Sequence, residues 1–362
     1  MVYKIAYLED LDAGSIKRNV EQQEFDVTHI EPQGSFEETL SLIQDVNADL
    51  LLMDFRLHAG VANFNAPPFA QFFRSQVIDD GASLPIVLIS SENNIRDYYR
   101  DYTSFDLFDF AVDKETFLSN TSKYCGLFKE LIDSYRRLRI LQTAGQPVDV
   151  AVAVMNVPDT LLRRVDRRLL DMLSMDKYQN DPFMLSGLLL SSFVKPIGPL
   201  IGSDVLSARL GVSKTSPGWE VLLELLDDFI YRGLYSGTYP RWWSQGVEVW
   251  WKQHFPSAPV LRRLTSRERC RLISEKFGLD NLIELEKLPL SNSNRLWTIC
   301  AGSFEPLDPI DGFEIARDVS NSPWLDMNLY SFDFLVNHGG AEILKELKEQ
   351  ERERYLQKVK EA

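Results

Sequence analysis

Residues 1–143 predict an α/β domain built on a five-stranded, doubly wound parallel sheet, and residues 144–362 a second, mainly α-helical domain. Three observations carry this. Short apolar runs alternate with helix-period stretches through the first part, the sequence form of a parallel sheet with helices on both faces. One run, Leu50-Leu51-Leu52-Met53, has no polar alternation, as expected of a central strand covered on both sides. The pattern then stops at Ala144-Gly145-Gln146-Pro147, a breaker cluster that precedes a tryptophan-rich remainder. At 362 residues the chain has room for two cores, since single cores stop growing at about 250–300 residues.

The strands are expected at residues 3–8, 25–30, 49–53, 84–89 and 107–112. Ser35 and Glu38 stand at capping-box spacing, so the second helix should start there, with Ser35 binding a free amide. Residues 58–68 hold Gly60, two Asn and Pro67-Pro68 and read as a long loop. From Lys114 a helical pattern continues to about Leu141. In the second domain, Thr265 and Glu268 form another capping box and Gly278 supplies the stop. Residues 148–154 alternate and read as a short strand. All seven Trp lie in this half; Trp242-Trp243 and Trp250-Trp251 are spaced to share one face of a helix, a core stripe. Residues 341–362 are charged and uninterrupted by Gly or Pro, which predicts one terminal helix.

Composition narrows the function classes. An apolar share of 44% and a charged share of 25% are those of a folded globular protein. Lys plus Arg number 39 against 53 Asp plus Glu, a net charge of -14, which opposes contact with nucleic-acid phosphates. Cys125, Cys270 and Cys300 are far apart with no CxxC pair, and read as reduced, packed thiols. The N-terminus lacks the basic start and apolar stretch of a signal peptide, and no segment reaches the roughly 20 apolar residues of a membrane helix. A soluble cytoplasmic protein without a membrane partner is the expectation.

The residues that close the apolar runs carry the chemistry, because open parallel sheets bind ligands beyond the carboxyl ends of their strands. The first run ends in Glu9-Asp10, the third in Asp54, the fourth in Ser90-Ser91, and Lys114 follows the fifth. Held together, the three carboxylates repel, each pair by roughly 4 kcal/mol at about 4 Å and an effective dielectric near 20. A divalent cation removes that penalty. Few protein carboxylates and several waters suit Mg2+, which then accepts phosphoryl oxygens. A carboxylate attacking phosphorus needs its charge neutralised, and Mg2+, the Lys114 ammonium and the Ser90 hydroxyl together do that.

Glu9-Asp10, the run Ala48-Asp49-Leu50-Leu51-Leu52-Met53-Asp54, the run Pro85-Ile86-Val87-Leu88-Ile89-Ser90, and Asp113-Lys114 resemble the receiver domain of two-component response regulators, over about two fifths of the chain. The resemblance implies a receiver (flavodoxin-like) fold whose Asp54 is phosphorylated by a histidine kinase, a phosphotransfer protein or a small phosphodonor. It implies that Mg2+ is bound by Asp10, Asp54 and the main-chain carbonyl of Arg56, with Glu9 acting through water, while Ser90 binds the phosphoryl group and Lys114 pairs with it. Two positions depart from the family: Glu115 stands where Pro usually follows the lysine, and Ala111 where the switch aromatic falls, with Phe110 one place off.

The second domain matches no output family. Residues 203–214 resemble the first part of a helix-turn-helix, but the recognition helix would run through Pro217-Gly218, where proline removes an amide and clashes with the preceding turn. With only four His, and no HD pair or HExxH, a metallohydrolase output is disfavoured. Asp308, Asp311, Glu314 and Asp318 read as a solvated acidic face. The leading expectation is a response regulator acting through protein contacts, including a phosphorylation-dependent homodimer. The alternatives are a phosphate sink or buffer, like those resembled in phage-defence phosphorelays, a transcriptional regulator with an atypical DNA-binding domain, and an enzyme with an unrecognised site.

Overall fold

The computed structural model describes residues 2–11, 13–58, 62–80, 83–91, 107–143, 149–179, 181–316 and 322–361. The chain divides into two compact units, one of Met1–Val154 with Asp171–Leu190, the other of Met155–Leu170 with Ser191–Ala362. The breaker cluster at residues 144–147 lies outside the described residues, as do Gly60, Asp318 and the stretch between the fourth and fifth strands where a helix is expected.

The first unit is a parallel sheet of five strands, β1 (Tyr3–Leu8), β2 (Phe25–Ile30), β3 (Leu50–Met53), β4 (Ile86–Ser90) and β5 (Phe110–Asp113), in the order β2-β1-β3-β4-β5. The sequence reading starts three strands early. Asp109 explains two of these: its carboxylate accepts from Ile86 N at 2.8 Å while its own N–H donates to Ile86 O, so the regular ladder opens there. Helices α1 (Gly14–Glu21), α2 (Phe36–Val46), α3 (Ala66–Asp80), α4 (Lys114–Ser119) and α5 (Thr121–Thr143) flank the sheet. Ser35 accepts from Glu38 N at the start of α2 as its spacing predicts. Pro67 and Pro68 do not lengthen a loop. They sit in the first turn of α3, where a missing amide costs nothing, behind a two-residue ladder of Arg56–Leu57 with Phe64–Asn65. The single helix expected after Lys114 is broken at Asn120 into α4 and α5.

Buried side chains fill both faces. On one, Leu8, Leu51, Met53 and Leu88 pack with Ile43 of α2 and Phe69 and Phe73 of α3. On the other, α5 buries Cys125, Phe128, Leu131, Ile132, Tyr135 and Leu138, a three-four spacing that makes one apolar stripe. At the amino ends of β4 and β5, Asp109 also accepts from Arg74 and from Tyr135 OH. Arg74 lies under the ring of Phe183 at 3.6 Å, from helix α6 (Pro182–Leu189), so the returning segment 171–190 covers this network.

Residues 150–154 are not a strand but a wide helical turn. Asp149 sets it, accepting from Ala153 N through its carbonyl and from Val152 N through its side chain.

The second unit is mainly helical, with ladders of only two or three residues. The four clustered tryptophans are all buried, as a core stripe requires, but they do not share a helix: Trp242–Trp243 pair with Leu200–Ile201 in a short antiparallel ladder, and only Trp250 and Trp251 lie on the helix Ser244–His254. The helix Ser266–Phe277 has both halves of its capping box and ends at Gly278 with a φ of 67°. Its Arg269 is fully buried and donates to the carbonyls of Ala208, Arg209 and Leu296, closing the last turn of the helix Ser203–Leu210, whose carbonyls have no intrahelical partner. Gly211 ends that helix at a φ of 71°, and a side chain there would meet the Ser266 backbone. The expected terminal helix is two, Ala341–Glu346 and Glu349–Glu361. Leu347 between them bridges to Ile315 and is buried beside Phe313, Phe332, Leu335 and Tyr355, and that apolar contact outweighs continuing the helix.

Candidate functional site

The order β2-β1-β3-β4-β5 reverses between β1 and β3, and the crevice beyond the carboxyl ends of these strands is where such sheets take ligands. Register delivers the acids to it. Leu8 stands opposite Met53, so Glu9 and Asp54 leave adjacent strands side by side; Ser90 and Asp113 stand opposite each other one strand further on. Ligand oxygens of Glu9, Asp10 and Asp54 all lie within 4.8 Å of one another.

Lys114, the first residue of α4, reaches back over these acids. Its Nζ is 2.7 Å from Glu9 Oε2 and 3.1 Å from Asp54 Oδ1. Asp54 Oδ2 accepts from Arg56 N at 3.1 Å and Asp10 Oδ2 from His58 N at 3.0 Å, so the loop after β3 is tied to both acids. Ser90 is buried at the end of β4. The structure thus gathers Glu9, Asp10, Asp54 and Lys114 into one cluster, with the Arg56 backbone beside Asp54 and Ser90 ending the neighbouring strand.

Electrostatics follow from burial. Glu9 is nearly inaccessible, and desolvation pushes its carboxyl above the usual range; the Asp54 charge adds to this, while the Lys114 and Tyr7 hydrogen bonds oppose it. Desolvation pulls the Lys114 ammonium down, but its bond to Glu9 and the charges of Asp54 and Glu9 together outweigh it and hold the amine above its ordinary value. The lysine is therefore a fixed cation between two carboxylates.

Whether these residues fit a divalent cation is decided by Asp54. Its Oδ1 is buried and makes no well-formed hydrogen bond, although the lysine ammonium lies beside it. One ammonium therefore serves two buried carboxylates with Asp10 beside them, and the negative charge left over is what a divalent cation would neutralise. The donors here are all hard oxygens, the set that Mg2+ prefers.

Two contributors escape the motif. Tyr7, fully buried, donates its hydroxyl to Glu9 Oε2 at 2.8 Å, and His29 Nε2 lies 2.9 Å from the Glu9 carbonyl. Tyr7 was open to detection, since i and i+2 share a face of a strand and a tyrosine two places before an acid can reach it. The position of Ala111 packs against the α2/α3 face, while Phe110 points the other way and stacks on Tyr124 and Phe128 of α5 at 6.2 and 6.0 Å. The one-residue offset has put the aromatic on the opposite face of the sheet.

No protein family matches the sequence, and comparison with curated proteins gives no match. Among solved structures the chain is similar to a CheY-like response regulator receiver domain from Methylobacillus flagellatus, at 14% identity and a TM-score of 0.28, covering 35% of this chain and 99% of that one. It is also similar to the chemotaxis response regulator CheY4 of Vibrio cholerae, at 16% identity and a TM-score of 0.26, over 34% and 99% of the two chains. A third similarity is to a co-crystal structure of the Saccharomyces cerevisiae phosphotransfer protein Ypd1 with the receiver domain of its downstream regulator Ssk1, at 15% identity, a TM-score of 0.28 and coverage of 36% and 88%. The strand order and parallel pairing of the first unit are those of the doubly wound, flavodoxin-like fold, the fold that receiver domains have. Among the described residues no helix is long and apolar enough to cross a membrane.

Proposed function

We propose that the protein is a two-component response regulator whose Asp54 accepts a phosphoryl group in a Mg2+-dependent reaction. The observation that carries this reading is the buried carboxylate of Asp54, with Glu9 and Asp10 within 4.8 Å and the single ammonium of Lys114 at 3.1 Å. Asp10, Asp54 and the Arg56 carbonyl would hold Mg2+, with Glu9 acting through water; the ion supplies charge neutralisation for incoming phosphoryl oxygens. An Asp54 carboxylate oxygen attacks the phosphorus of a phosphohistidine. The new O–P bond forms as the P–N bond breaks, and the leaving imidazole takes up a proton. Lys114 pairs with the acyl phosphate and Ser90 donates its hydroxyl to it. The donor is a histidine kinase or phosphotransfer protein, or acetyl phosphate in the test tube.

Output runs through protein contacts of the second unit, including pairing with a second copy, and a phosphoryl group adding about -1.5 to -2 charges biases it. Against a nucleic-acid target stands the helix Trp219–Glu224, in the place of a recognition helix. It has only six residues, begins after Pro217-Gly218, and turns the carboxylates of Glu220 and Glu224 to solvent. Phos-tag electrophoresis with acetyl phosphate and Mg2+ tests the site: the wild type should give a retarded band and Asp54→Ala none. A retarded band that persists in the variant rejects Asp54.

A further inference from the structure

A cavity of about 580 Å3 opens in the second unit, within the size range of small-molecule sites, about 300–1,000 Å3. None of its walls belongs to the carboxylate cluster of the first unit. Its charges sort into satisfied and unsatisfied ones. Asp166 is held by Arg168 at 2.7 Å, and Asp326 by Arg209 at 2.8 Å. Arg209 is itself buried to 2% exposure, bonded to Ser244 Oγ and the Trp297 carbonyl, and lies over the Trp297 ring. The first pair lies at the surface, while the second is anchored by the buried guanidinium of Arg209.

Three charged side chains of the lining remain. Among the described residues Arg164, Arg262 and Glu248 form no ion pair at salt-bridge distance, although Glu248 lies within range of the Arg209 charge; all three are exposed. Arg262 is already oriented, its guanidinium lying 5.3 Å from the centre of the Trp297 ring. Ser244 and Gln245 also line the cavity and open an eleven-residue helix whose N-cap, Trp243, offers no side-chain acceptor, so its positive end meets the same space. Opposite in character is Trp324. Its indole N–H is fixed by the Ser192 carbonyl at 2.8 Å, yet the ring is only half-buried, and with Pro199 and Leu161 it supplies an apolar part of the lining.

We propose that this cavity binds an organic anion carrying a flat ring, of the size and charge of a nucleoside monophosphate. The two unpaired guanidiniums take the phosphate, for which Arg has the matching planar fork. The ring stacks against Trp324, and Glu248 accepts from a sugar hydroxyl or ring amine. This reading goes beyond phosphoacceptance and does not depend on it.

The test uses the full chain without any phosphodonor, titrated with AMP, GMP, CMP and UMP, following indole fluorescence and heat of binding. Ribose 5-phosphate and adenosine serve as the two halves of the ligand. At least one nucleotide should quench saturably at one site per chain, and each half should bind at least about tenfold more weakly. The double variant Arg164→Gln, Arg262→Gln should lose at least about tenfold in affinity. Both side chains are exposed, and an unchanged melting midpoint verifies that the variant folds. The proposal is overturned by absence of saturable binding of all four nucleotides up to about 5 mM. Full affinity in the double variant overturns it too, as does ribose 5-phosphate binding as tightly as the best nucleotide.

Discussion

Replacing Asp54 by Asn should stabilise the metal-free protein and destabilise it relative to wild type once Mg2+ is present. Asp54 faces two like charges, Glu9 and Asp10, at no more than 4.8 Å. At an effective dielectric near 20 each such pair costs about 3.5 kcal/mol or more. Against this stands Lys114 at 3.1 Å, worth about 5 kcal/mol on the same scale. The lysine side chain is 35% exposed and Asp10 is half-exposed, so solvent trims both the attraction and one of the repulsions. Removing the Asp54 charge while keeping its shape therefore gains about 1–2 kcal/mol without metal. With Mg2+ at about a hundred times its dissociation constant the wild type gains about 2.7 kcal/mol, while a site short of one ligand and about a hundredfold weaker gains only about 0.4 kcal/mol. The sign of the difference reverses. All seven tryptophans lie between residues 219 and 324, so fluorescence would report on the second unit. The assay is instead hydrogen exchange of β1 and β3 amides, in EDTA and in Mg2+. An Asn variant that exchanges faster than wild type in EDTA, or equal protection of both proteins by Mg2+, would refute the electrostatic account.

Two further outcomes follow from other residues. Asp113 caps α4 by accepting from Thr116 N at 2.7 Å, and the Thr116 hydroxyl together with this backbone bond holds its carboxyl below the usual range. Asp113→Ala should cost about 1 kcal/mol at neutral pH. A depressed folded-state value means the contribution is present above the unfolded carboxylate pKa of about 3.9 and lost as pH falls through the folded value, so wild type and variant should converge in acid when their urea midpoints are compared. In the second unit, burial lowers the Arg269 guanidinium to about 10, still charged at neutral pH. Arg269→Ala strands three buried carbonyls, each worth about 1–3 kcal/mol, and should lower the tryptophan-monitored urea midpoint severely. Arg269→Lys should recover only part of this because a single ammonium cannot span the fork; full recovery by Lys would contradict the role given to the guanidinium.

Much of the first unit was legible because a parallel sheet writes itself in unbroken apolar runs, and because ligand-side residues sit at the ends of those runs. The runs ending at Glu9, Asp54 and Ser90 led directly to the residues that the register brings together. What the pattern could not supply was competition between nearby hydrogen bonds. Asp109 decides where β4 and β5 begin, and Asn120 where α4 gives way to α5, through side-chain and backbone contacts that periodicity does not encode. In the second unit the helical reading of Trp242-Trp243 failed because a two-residue ladder leaves the same trace of buried aromatics as one turn of helix. Leu347 was hidden for the opposite reason: an apolar residue in a charged run looks like one more helical position until Ile315, distant in sequence, claims it. Tyr7 was legible in principle and overlooked, since within an apolar run it reads as one more core side chain.

The return of residues 171–190 into the first unit, where Phe183 lies across Arg74, makes that unit discontinuous in sequence. No single cut of the chain can release it whole. A fragment ending at residue 143 would leave the guanidinium of Arg74 without its aromatic lid, so recombination or truncation that treats the first 143 residues as an independent module removes part of that module's own cladding.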